Sequence, residues 1–295
     1  MISTFPQPIE TPSLSPKQVA KAIGVSESSL KRWCDQGRIR FRKTAGGHRR
    51  IYATSVIEFL SQTGHPIVRP EILGLALEPT TSSSIEEVSS NFLAALLEGN
   101  ERRARRIVVD LFLQKVPVSE IGDRLIAPTF QRIGRFTSCG EIETFHERRA
   151  CEIAKRLVDE IQMMISQPDG GPLAIGGSLL HDHYALPSAL VETVMRQRGW
   201  CARDMGTNLP LNSLSAAVVD LQPKLVWISL SHIAQSDQFV REYLEFQASV
   251  PPEVLIVVGG RALVPEIRNR IRFSASCETL TQLESFVDTL NSNQP

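Results

Sequence analysis

At 295 residues, with 42% hydrophobic and 22% charged residues, the chain can bury the cores of two or three domains. Its formal net charge is zero, but residues 1–64 sum to +6 and residues 65–295 to −6, a small basic head on an acidic body, so nucleic-acid contacts are expected at the N-terminus. Five scattered cysteines without CxxC spacing exclude a disulfide framework and a zinc site, and no apolar run approaches the ~20 residues that span a bilayer, so a reduced, cytoplasmic protein without membrane contact is expected.

Residues 1–13 hold three prolines and several Ser and Thr, and read as a flexible arm without the pattern of a signal peptide. A helix is expected to open at Ser15–Pro16, with Ser15 as cap and Pro16 at the first helical position. Val19, Ala20 and Ile23 point to a core, and Gly24 makes the turn. Ser26 caps a second helix whose Leu30 and Trp33 face inward, leaving Ser28, Ser29, Lys31 and Arg32 outward, as a helix in the major groove requires. The stretch RIRFRKTAGGHRRI then reads as a β-hairpin wing. Arg38, Arg40 and Arg42 alternate with apolar residues, Lys43 follows, and His48, Arg49 and Arg50 begin the return strand after the Ala45–Gly46–Gly47 turn. Such a wing carries positive charge to phosphates, adding salt-dependent affinity. Residues 14–64 are therefore a winged helix-turn-helix, closed by the helix SVIEFL.

Residues 65–84 have the Pro and Ser content of a linker. From 85 to 166 the apolar stripes recur at helical spacing (Phe92, Leu93, Leu96, Leu97; then Ile107, Val108, Leu111, Phe112), and four amphipathic helices read as a bundle. After QPDGGP the texture changes. Short apolar runs such as LAIGGSLL, LVWISLS and VLIVVGG alternate with amphipathic helices, which indicates a doubly wound, flavodoxin/Rossmann-like parallel sheet over 172–291. The fold class is thus multidomain α plus α/β.

The segment LSPKQVAKAIGVSESSLKRWCDQGRIRFRKTAGGHRRI resembles the DNA-binding domain of the MerR family, GGHRR wing included. Members of that family usually dimerise through a coiled coil directly after this domain. Here a Pro-rich linker follows instead, so the body must set a homo-oligomeric state, dimer or tetramer. Head, bundle and α/β domain together resemble the cobalamin-dependent photoreceptor repressors of carotenoid genes. That resemblance implies adenosylcobalamin or a related cobalamin as cofactor. It also implies an Asp-x-His-x-x-Gly motif after the first strand, whose His coordinates cobalt, a Ser-x-Leu element after the third strand, and Gly-Gly after the fourth. Laid on this sequence, His183 becomes the metal ligand, sixteen residues before Gly199, with His181 at the Asp position and Leu186 at the Gly position. A lost carboxylate would leave the imidazole without the partner that orients it. Ser229, Ser231, Gly259 and Gly260 would line the nucleotide tail. The family's upper-face pattern, Trp, nine residues, Glu-His, becomes Thr137, Glu147, Arg148, or in the neighbouring register Phe136, His146, Glu147. Glu147 is common to both.

Three functions follow. The first is a transcription regulator, not an enzyme, that binds double-stranded operator DNA and senses cobalamin, with a possible light response. The second is a regulator that keeps the cobalamin-type fold without cobalamin, for oligomerisation, protein partners or another tetrapyrrole such as haem. The third, a corrinoid enzyme or methyl carrier, gives the DNA-binding head no role. Fold alone does not choose among them.

Overall fold

The computed structural model describes residues 13–44, 46–63, 70–73, 85–165 and 170–292. Most of the expected arm and linker lies outside these residues. The chain divides between Ser83 and Ser84 into two compact units.

In the first unit, β1 (Ser13–Leu14) leads into α1 (Pro16–Ile23), α2 (Glu27–Asp35), β2 (Phe41–Lys43), β3 (Arg49–Tyr52) and α3 (Ala53–Thr63). Ser15 and Gln18 close a capping box at the start of α1, and Gly24 ends the helix in the left-handed conformation. Ser26 accepts from the Ser29 amide to cap α2. The strands form an antiparallel sheet in the order β1-β3-β2. Val19, Ile23, Leu30, Ile39, Ile51, Val56 and Phe59 fill the core beneath it.

The second unit begins with helices α4 (Ile85–Glu98), α5 (Glu101–Leu113), α6 (Val118–Ile121), α7 (Ala127–Ser138) and α8 (Thr144–Met164). Between α6 and α7 the backbone widens into a π-helical turn at Gly122–Ile126. Then β4 (Leu173–Ser178), α9 (Ala185–Gln197), β5 (Cys201–Asp204), α10 (Leu211–Leu221), β6 (Leu225–Ser229), α11 (Ser236–Ser249), β7 (Leu255–Gly259), α12 (Pro265–Arg268), β8 (Ala275–Cys277) and α13 (Leu280–Ser292) alternate. All neighbouring strands are parallel, in the order β5-β4-β6-β7-β8. This is the doubly wound arrangement, in which the crossover changes direction beside β4 and ligands bind beyond the carboxyl ends of the strands.

Alternation along the strands explains how the sheet is covered. In β6, Leu225 and Trp227 face one way and Val226 and Ile228 the other. The first pair shares a continuous core with the bundle residues Phe92, Leu96, Ile133, Ala150 and Leu157, whereas the second packs on α10 and α11. The bundle therefore has no core separate from that of the sheet face it covers. Gly176 makes room for this arrangement, because a Cβ there would lie 2.3 Å from the Trp227 ring. Polar contacts weld the same seam. Buried Glu284 accepts from Ser119 Oγ at 2.6 Å and pairs with Arg198. Asp123 in the π-helical turn accepts from the Leu280 and Thr281 amides and the Thr281 hydroxyl at the start of α13.

Replacing Asp123 with Ala leaves the first turn of α13 without these acceptors. The second unit should lose about 1–3 kcal/mol of stability, read as a lower denaturant midpoint at unchanged slope. A midpoint equal to that of the parent chain would show that the cap is not a structural weld.

Candidate functional site

The head presents its charges on α2 and on the hairpin. In the hairpin register Arg42 stands opposite Arg50 and Lys43 opposite Arg49. Like charges directly opposed across strands are destabilising unless an anion relieves them. For Arg49 the relief is internal. Its guanidinium pairs with Asp35 at 2.7 Å, donates to the Lys31 carbonyl at 3.3 Å, and stacks 4.8 Å over the Phe41 ring. Arg49 thus straps the wing to the end of α2. Arg40 pairs with Glu58 at 2.8 Å, and Lys31 with Glu27 at 3.0 Å. Arg32, Arg42, Lys43 and Arg50 have no ion pair among the described residues, and Ser28, His48, Arg32, Arg42 and Lys43 are exposed. Ser29 is half-buried and shares the hydroxyl cluster of Ser26 and Ser28. The seven Lys and Arg residues expected on the DNA face therefore divide into Arg32, Arg42, Lys43 and Arg50, unpaired among the described residues, and Lys31, Arg40 and Arg49, paired within the head.

In the second unit a cavity of about 310 Å³ opens between the bundle and the carboxyl ends of β6 and β7. The π-helical turn and α7 form one wall through Gly122, Ile126 and Phe130, and Glu147 and Cys151 of α8 contribute to the lining. Across from them stand Tyr184, Leu186, Trp227, Ser229, Ser231, Gly259, Gly260 and Arg261. Five of the six expected ligand residues, Glu147, Ser229, Ser231, Gly259 and Gly260, thus share one cavity. Its lining is mainly apolar, as ligand pockets are. Burial, reinforced by the Glu147 carboxylate, pushes the Cys151 thiol up to about 11, so it stays protonated at neutral pH.

His183 is the exception. It is exposed and does not line the cavity, nor does any other histidine among the described residues. The cause lies one residue earlier. Asp182 is fully buried, and a buried carboxylate must be satisfied. Its Oδ1 accepts from the Tyr184 amide at 3.0 Å, and its Oδ2 from the amides of Ser231 at 2.5 Å and His232 at 3.1 Å. The Asp182 carbonyl accepts from Asn208, and Asn208 in turn accepts from the His181 amide, holding His181 at φ 69°. With Asp182 inside, the two flanking histidines are turned out. Counted from this buried carboxylate, the spacing Asp-x-His-x-x-Gly falls on Asp182, Tyr184 and Pro187. The register centred on His183 is therefore displaced by one, and a phenol faces the cavity where that motif has an imidazole. Leu186 is buried against the same wall.

Two further expectations have purely structural causes. A Cβ on Gly260 would lie 2.3 Å from the Leu230 carbonyl oxygen, and one on Gly259 would lie 2.5 Å from that of Cys277. Both glycines are demanded by the close approach of neighbouring backbone, whatever the cavity holds. At the upper wall neither Phe136, Thr137 nor His146 lines the cavity, and Arg148 is exposed. His146 stacks on Phe145 at 3.9 Å instead. Sequence reasoning did not single out Tyr184, Asp182, Cys151, Trp227 or Arg261 as site residues. Arg261 directly follows the glycine pair, and that adjacency was the available signal.

No cluster of three or more His, Cys, Asp or Glu side chains among the described residues could hold a metal. A volume of 310 Å³ is at the lower end of the about 300–1,000 Å³ that encloses drug-sized ligands. A corrinoid exceeds such ligands in size and would extend beyond the cavity. The residues present do not fit a corrinoid held at this cavity through an imidazole.

Comparison with known proteins agrees with both units. Residues 13–64 match the helix-turn-helix domain family, and residues 88–162 match the B12 binding domain family. The HTH-type transcriptional repressor CarA of Myxococcus xanthus is 21% identical over 254 residues, 83% of this chain and 85% of the repressor. The monomethylamine corrinoid protein of Methanosarcina barkeri has the same fold, with a TM-score of 0.60 at 14% identity, covering 70% of this chain and 100% of that protein.

Replacing Arg49 with Ala removes an ion pair, a carbonyl contact and a ring contact together. The head should lose about 1–2 kcal/mol, seen as a lower melting temperature for its transition. An unchanged melt would mean that Arg49 is free to serve DNA alone.

Proposed function

From a chain that joins a helix-turn-helix domain to a domain of the B12-binding type, we propose a sequence-specific transcription regulator whose second unit senses a small molecule and thereby controls the grip of the head on operator DNA. The observation that carries this reading is the cavity built jointly by bundle and sheet, which a ligand fills only by touching both. Ligand binding stabilises whichever arrangement of the chain it prefers, and DNA affinity follows by linkage. The coupling proposed is through self-association. A single head of about fifty residues buries too little surface for high specificity, so two or more copies acting on a repeated or palindromic site are expected. The chain acts as a regulator rather than an enzyme.

For the DNA face, Arg42, Lys43 and Arg50 of the hairpin are the cations left for phosphate contacts, whereas Ser28, Ser29 and Arg32 of α2 are placed to meet base edges. Replacing Arg42 and Lys43 with Ala should weaken binding to a selected operator uniformly across sequences and flatten its salt dependence by about one to two units of log–log slope. An unaltered slope would rule out the wing as a phosphate-binding element.

For the ligand, a cobalamin is the first reading. It is supported by the B12-binding family match over the bundle and by the placement of Glu147, Ser229 and Ser231 around one cavity. Such a cofactor would supply a photolabile centre and hence a light response. A second reading, that the cobalamin-type fold is kept for another ligand, is favoured by one observation: no histidine among the described residues lines the cavity. Purification with adenosylcobalamin in the dark separates the two. The first reading expects retained corrin absorbance that is indifferent to His183→Ala; a folded protein that retains none leaves only the second.

A further inference from the structure

The cavity carries one polar arrangement that neither reading uses. Arg261 is the only cation lining it among the described residues. Its guanidinium lies 4.9 Å over the Tyr184 ring, and its Nε donates to the Ser231 carbonyl at 3.1 Å. Tyr184 and Ser231 are themselves fixed through the Asp182 carboxylate, which accepts from the backbone amides of both. A flexible side chain is thereby held at three points: ring face, carbonyl and the turn after Gly260. The terminal nitrogens of Arg261 have no protein acceptor among the described residues, and the side chain forms no ion pair there. A planar fork pinned by its Nε and presenting both Nη groups is the form in which arginine receives an oxyanion through two hydrogen bonds.

The acids of the lining do not compete equally for it. Asp123 is spent on the start of α13, and Glu278 pairs with Arg268 at 2.9 Å. Glu147 remains, near enough for both it and Arg261 to act on the Cys151 thiol, but beyond ion-pair distance of Arg261. The apolar lining of the same cavity includes Phe130, Leu186 and Trp227.

We infer that the cavity is a binding site for a largely apolar ligand bearing an anionic group, with the anion received by Arg261 over Tyr184 and the apolar body seated against Phe130, Leu186 and Trp227. The inference rests on the reading of this cavity as the sensing site. It replaces an axial imidazole with a phenol–guanidinium platform.

Two fluorescent probes of similar shape test it on the full chain: anilinonaphthalene sulfonate, which is anionic, and phenylnaphthylamine, which is neutral. Gly134 of α7 lines the cavity and a Cβ there meets no atom within 4 Å, so Gly134→Leu is the substitution chosen to occupy cavity space. The parent chain is expected to bind both probes, the anionic one about tenfold more tightly. Arg261→Gln, at an exposed position that leaves the fold intact, should abolish that preference while leaving the neutral probe unchanged. Gly134→Leu should weaken both. If Gly134→Leu weakens both probes but Arg261→Gln leaves their ratio unaltered, the anion site is overturned and the cavity survives. If Gly134→Leu affects neither, the probes bind elsewhere, and the sensing-site reading falls together with the inference.

Discussion

A carboxylate removed from water must find donors, and in this protein the second unit arranges its ligand-facing loops around that requirement. Asp182 sits at the end of the first strand of the parallel sheet and collects the amides of Tyr184, Ser231 and His232. Two loops that would otherwise move independently are joined through one side chain. Charge-assisted bonds to backbone amides are among the stronger contacts available to a carboxylate, and they involve no basic side chain that could compete for the cavity. Which residues face inward at the strand ends is decided there. Tyr184 is inside because its amide is held, and His181 and His183 are outside because the residue between them is buried.

The architecture was legible because it rests on periodicity and turn chemistry. The capping residues Ser15 and Ser26, the Gly24 turn, the basic hairpin and the strand–helix alternation after Pro172 are local signals, and each forms the element that its pattern implies. The cavity was legible in part. Ser229, Ser231, Gly259 and Gly260 lie at strand ends, where the doubly wound topology itself puts them beside a ligand. His183 was not, because the reading was anchored on the residue type that binds metal rather than on the residue that burial would select. A one-residue change of register in a loop exchanges inward for outward, and only the three amides that Asp182 satisfies, two of them some fifty residues away in sequence, decide it. The same blindness to distant partners applies to Arg49. Its sequence neighbours suggest a free wing cation, whereas Asp35, Lys31 and Phe41 draw it into the head.

Glycine carries a related lesson. Gly259 and Gly260 match a ligand-cradling pattern, yet the atoms that exclude a side chain at both positions are carbonyl oxygens of the adjoining segments. Such a pattern is required by the sheet itself, whatever the cavity holds. Chemistry specific to one ligand is carried instead by positions the sheet leaves free, such as 184, 186 and 261.

The continuous core of the second unit also governs how the protein can be made. The apolar side chains of the bundle, from Phe92 to Ile161, pack in the same cluster as Trp227, Val257 and Val287. A nascent chain that has emerged only through α8 therefore has its bundle residues ready and their counterparts not yet synthesised. The first unit, whose last buried residue among those described is Leu73, can close as soon as it leaves the ribosome, while the bundle waits for more than a hundred further residues with apolar surface uncovered. Two units on one polypeptide are thus completed at different points of its synthesis.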